Sequence, residues 1–105
     1  MGREAMTAVA KTILEQMGGS RFVAMTGAKY LVGDQHSLRW KLARPVSKVT
    51  HVCVVLQPDD TYRMIMWQVG KGGDWSMRVI ETFEHLHASD LQTTFTAFTG
   101  LETHL

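Results

Sequence analysis

The apolar positions of this chain change period twice along its length. Across residues 7–17, Val9, Ala10, Ile13, Leu14 and Met17 recur at helical spacing, with Thr7 placed to cap the first turn and Gly18-Gly19 to end the last. The stripe is one-sided and the segment short, so this helix depends on docking against something else. From Arg21 onward the period drops to two. Residues 21–25 and 28–32 read as short strands parted by Thr26-Gly27. Residues 37–42 read as a strand in which Leu38, Trp40 and Leu42 face a core while Ser37, Arg39 and Lys41 face water. Pro45, with no amide hydrogen to give a ladder, is expected to end it.

Val49–Leu56 is rich in β-branched residues and apolar on both sides, the pattern of a central strand. Pro58-Asp59-Asp60 predicts a turn, because proline presets φ and the aspartates accept local backbone hydrogen bonds. Residues 61–69 then return with Tyr62, Met64 and Met66 on one face and Arg63, Ile65 and Trp67 on the other. Gly70-Lys71-Gly72-Gly73-Asp74 predicts another turn and 75–84 the last strand. Leu91, Phe95 and Phe98 restore helical spacing up to Gly100, with Leu101 just beyond. No linker, repeat or low-complexity tract interrupts the chain, so one domain is expected over residues 1–105. Its predicted class is α+β, an antiparallel meander of about five strands with N- and C-terminal helices packed on one face. Two helices with one apolar stripe each cover one side of a sheet and leave the other to solvent or a partner.

Composition narrows this without redirecting it. The 105 residues are 45% hydrophobic and 20% charged, ordinary for a folded domain. The single cysteine, Cys53, excludes an internal disulfide framework. A net charge of +1 supplies no strong overall field. No run reaches the roughly 18 apolar residues of a membrane span, and the first residues lack a signal-peptide core, so a soluble cytoplasmic protein without membrane association is expected.

Ile13-Leu14-Glu15-Gln16-Met17-Gly18-Gly19, followed by Phe22 and Met25-Thr26-Gly27-Ala28-Lys29, forms a distinctive N-terminal signature. With Asp60-Thr61-Tyr62, Val79-Ile80-Glu81 and the ending Leu91, Phe95, Thr99-Gly100, it resembles a family of small proteins, without an assigned activity, from tailed phages, prophages and other bacterial mobile elements. The resemblance spans nearly the whole chain. It implies a bacterial cytoplasmic setting during phage or prophage expression, and brings no cofactor or catalytic residue with it.

Catalytic chemistry finds little to stand on. His85 and His87, with Glu81 and Glu84 near in sequence, would supply a metal too few ligands at defined spacing, so no metal site is expected. Gly70-Lys71-Gly72-Gly73 lacks the following helix and the Ser or Thr that a phosphate-cradling loop requires. Cys53 with His51 two residues away would be a nucleophile and base only if the thiol were activated and accessible, and a packed thiol in a central strand is the expectation. Neither enzymatic activity nor a cofactor is expected. The methionines, Met6, Met17, Met25, Met64, Met66 and Met77 among them, read as core filler.

The distribution of charge is more informative. Residues 19–80 carry Arg21, Lys29, Arg39, Lys41, Arg44, Lys48, Arg63, Lys71 and Arg78 against four aspartates, whereas from Glu81 on there are four acids and no Lys or Arg. If Arg63, Ile65 and Trp67 oppose the inward methionines, one sheet face mixes cations with an indole and aliphatic groups. Arg39, Lys41, Arg63, Ile65, Trp67 and Arg78 are therefore the candidate partner-binding residues. The face suits a protein partner, such as a host protein or a second copy in a homodimer, because Trp and Arg are favoured anchors. The alternative is nucleic acid, held by phosphate contacts and stacking. Inhibition of a bacterial defence or regulatory complex is the use that the mobile-element resemblance suggests.

Overall fold

The computed structural model describes residues 7–70 and 77–103. Helix α1 (Ala8–Met17) starts where Thr7 is extended and its hydroxyl oxygen accepts the Ala10 amide at 3.1 Å. It stops at Gly18, whose φ of 123° is closed to most side chains. A Cβ there would also lie 2.8 Å from the Thr103 carbonyl oxygen, so a glycine lets the C-terminal segment pack against the break.

The chain then turns into a second helix, α2 (Gly19–Thr26), where the alternating pattern predicts a strand at 21–25. That expectation is corrected by packing: Phe22 and Thr26, one helical turn apart, are buried together, and Thr26 Oγ1 donates to the Phe22 carbonyl at 2.7 Å. Five residues of which four are apolar fit either period, and the hydrophobic contact decides. Gly27, left-handed at φ 70°, ends the helix.

Five strands follow in a meander: β1 (Lys29–Gly33), β2 (Ser37–Val46), β3 (Val49–Leu56), β4 (Tyr62–Val69) and β5 (Met77–Leu86), antiparallel and adjacent in chain order. The α+β class and the antiparallel sheet are as the sequence predicts. β2 continues through Pro45 instead of ending before it, because the β2–β3 pairing shifts register between Lys41 and Val46 and asks no regular ladder bond of the proline. The last strand begins at Met77 and runs to Leu86; the expected turn at 71–74 and the expected strand start at 75–76 lie outside the described residues. A short 3₁₀ turn (Ala88–Asp90) leads into α3 (Leu91–Thr99), which closes at Gly100, again left-handed. No described helix is long and apolar enough to cross a membrane.

The core lies on one side of the sheet. Leu38, Trp40 and Leu42 of β2, Val52 and Val54 of β3, and Met64 and Met66 of β4 are buried there beneath Ile13, Met17, Phe22, Leu91 and Phe95. Phe22, Trp40 and Phe95 meet edge to face with centroids 5.0 to 6.0 Å apart, joining α2, β2 and α3 at one point. Gln92 Nε2 donates to the Gln16 carbonyl at 3.0 Å and ties α3 to α1. Met17, Met64 and Met66 are core residues as expected, but Met25 and Met77 are exposed, and Met6 is outside the described residues.

Candidate functional site

The other side of the sheet carries no described element, and the strand registers determine what it presents. Residues opposite one another in antiparallel strands point the same way. One row therefore crosses all five strands as Lys29, Lys41, His51, Trp67 and Val79. A second runs through Val32, Arg39, Cys53, Ile65 and Thr82. A third holds Ser37, Val55 and Arg63, and Arg63 Nε donates to Glu84 Oε1 at 2.9 Å. The face is thus graded. Its β1–β2 side is cationic and its β4–β5 side largely apolar, with Val79 at 54% and Met77 at 64% exposure.

Five of the six candidate residues, Arg39, Lys41, Arg63, Ile65 and Trp67, share this open face. Arg78 does not. It stands opposite Gln68, between Trp67 and Val69 in β4, and so leaves the sheet on the helix-bearing side. The cause is a β-bulge. Glu81 opposes Met66 and Val79 opposes Trp67, so Ile80 is an extra residue that reverses the alternation at every position before it. Counting back from the inward Phe83 by twos would put Arg78 on the open face.

Trp67 and His51, neighbours across β3 and β4, stack with centroids 5.5 Å apart and planes 15° from parallel. Thr50 Oγ1 holds the imidazole from below: it lies 2.7 Å from Nδ1 and accepts the Val69 amide at 2.9 Å. Partial burial pushes the His51 pKa below the ordinary imidazole value, and the charges of Lys41 and Arg39 push it further the same way. Lys41 Nζ sits 5.9 Å from the centre of the Tyr30 ring, which is 73% exposed. Tyr30 has φ 55° and falls where the β1–β2 register slips between Lys29 and Val32, so this aromatic joins the face through an irregularity that no alternation foretells.

Cys53, half-buried in the middle row, has its thiol pKa raised, chiefly by burial, which the contact with Ser37 only partly offsets. His85 approaches Asp59 at 3.8 Å on the surface. Among the described residues no three His, Cys, Asp or Glu side chains gather where they could hold a metal ion. Sequence reasoning missed Tyr30, Val32, Val79 and the role of His51 as the platform beneath Trp67. The only signal that could have found them was cross-strand register.

These features define an α+β domain whose antiparallel sheet is covered on one face and open, cationic and partly apolar on the other. No known protein family, curated protein or solved structure matches the chain.

Proposed function

We propose that this chain is a non-enzymatic accessory protein of phage type that binds a host protein through the open face of its sheet, with inhibition of a bacterial defence or regulatory complex as its use. The observation that carries the reading is Trp67: a half-buried indole beside Ile65 and Val79, on a face that no described element covers. Aromatic and aliphatic side chains set among arginine and lysine make the kind of surface on which a few anchors supply most of the binding energy. A thiol pushed away from its reactive thiolate at Cys53 supports the non-enzymatic part.

The test is affinity capture from bacterial lysate with the wild-type chain, Trp67→Ala and Arg78→Ala. A bound species kept by wild type and Arg78→Ala but lost by Trp67→Ala supports the open face. Capture that ignores Trp67 sinks the proposal.

A further inference from the structure

Resting on that docking reading, the geometry points to the chemistry of the occupant: an acidic protein surface that sets carboxylates over Arg39 and Lys41 and one apolar side chain against Trp67, Ile65 and Val79. Three cations, Lys29, Arg39 and Lys41, lie together on the β1–β2 side, and none has an ion-pair partner among the described residues. The Lys or Arg ion pair seen among the described residues lies elsewhere, between Arg63 and Glu84. The cations act on their surroundings as positive charge: Lys41 and Arg39 both oppose protonation of His51, and Arg39 helps keep the Asp34 carboxylate ionised.

Charge complementarity selects among the occupants. A second copy of this chain brought face to face offers Glu84, already held by Arg63, and Asp34, already held by Ser37 and the His36 amide. Its burial would desolvate three cations on each copy against carboxylates that are engaged within their own chain. Nucleic acid would supply phosphates but needs a ring face for stacking. Trp67 has one ring face occupied by His51 and has Val79 as its neighbour on the other strand, so it offers an edge rather than a platform. That leaves the exposed Tyr30 ring, with Lys41 Nζ 5.9 Å from its centre, as the aromatic available for stacking at the margin of the face. Exposed Val79, Val32 and Met77 give a nucleic acid nothing to recognise, whereas a protein surface covers them favourably.

Strand geometry sets the spacing of the partner's groups. Arg39 and Lys41 are two residues apart on β2, roughly 7 Å, and Lys41 lies two strands from Trp67, about 10 Å. The partner therefore carries two carboxylates about 7 Å apart, the spacing of alternate residues in an extended strand, with an apolar group about 10 Å to one side. Beside Lys41, Thr50 and His51 a cleft of about 350 Å³ has room for one acidic side chain.

Selection of a random peptide library on the immobilised full chain tests this, with binding of selected peptides then measured to wild type, the double variant Arg39→Glu/Lys41→Glu, Trp67→Ala and Arg78→Ala. Enriched peptides are expected to combine Asp or Glu with an aliphatic or aromatic residue. They should bind about tenfold or more weakly to both open-face variants, lose affinity as salt rises, and be indifferent to Arg78→Ala. Peptides that require Trp67 but carry no acidic residues, and bind the Glu variant undiminished, overturn the acidic occupant and leave the docking face standing. If no selected peptide depends on Trp67, the docking reading fails as well. Two parallel arms decide between the other occupants. Oligo(dT) binding that is lost in the Glu variant assigns the face to nucleic acid. A dimer in sedimentation equilibrium that Trp67→Ala dissolves assigns it to a second copy. Either result overturns the inference, and folding of each variant is confirmed by far-UV circular dichroism.

Discussion

Met66 and Trp67 are consecutive in β4 and point to opposite sides of the sheet, so together they measure how unequally its faces are covered. Met66 is fully buried opposite Val52, beneath the helices. Truncation to alanine removes a long apolar side chain from a packed site that relaxes only partly, at a cost of about 2–5 kcal/mol. Trp67 is the larger side chain, but what alanine removes there is lateral packing: the stack on His51, the contact with Val79 and some strand preference. Cross-strand pairs contribute roughly 0.2–1 kcal/mol each, strand preference up to about 1 kcal/mol and the apolar area of a half-buried indole about 1 kcal/mol more, so Trp67→Ala should cost about 2–3 kcal/mol, in the lower part of the Met66 range. The smaller residue is therefore the more costly to remove. Urea unfolding followed by far-UV circular dichroism measures both, and avoids the fluorescence of the remaining tryptophans. For a domain of this size each kcal/mol corresponds to about 4 °C or more in Tm, so the two variants should separate on heating too. If Trp67→Ala costs as much as Met66→Ala or more, the indole is covered in solution, and the open face with everything built on it is wrong.

Gly18→Ala should destabilise by roughly 1–3 kcal/mol, since φ is 123° and the added Cβ meets the Thr103 carbonyl; Gly100→Ala, left-handed but with open space around it, should cost less, and thermal melts that rank them the other way refute the argument. The His51 imidazole should titrate below 6.5 in a proton NMR pH series, and Lys41→Met should move it up by removing one of the charges that oppose protonation. A depressed value gives this linkage its sign. The unfolded chain takes up the proton first, so stability falls as pH drops from about 6.5 through the folded value, and a His51 pKa at or above 6.5 contradicts both statements. Cys53 should alkylate with iodoacetamide more slowly than an unstructured cysteine peptide at neutral pH, because its thiol is held protonated; a faster rate would reopen the nucleophile reading.

Much of this molecule was legible from residue spacing, because burial on one side imposes a period that the sequence must carry. Thr7 and Gly18 bound α1, Val49–Leu56 is the central strand, and Tyr62, Met64 and Met66 face the core while Arg63, Ile65 and Trp67 face away. Local pattern failed where two periods fit equally, at Arg21 to Met25, and there the docking of Phe22 against Trp40 and Phe95 selected a helix. It failed again at Pro45, whose missing amide is harmless only because the neighbouring strand has slipped register. The candidate site shows the division most clearly. That Arg39, Lys41 and Trp67 face away from a core is a property of their own strands. That Lys41, His51 and Trp67 form one row, that Tyr30 joins it, and that Arg78 is turned to the opposite side depend on which residue pairs with which across strands, and on a single extra residue at Ile80. Register and bulges are set by contacts between segments far apart in the chain, so a row of side chains across the sheet exists only once the strands have paired.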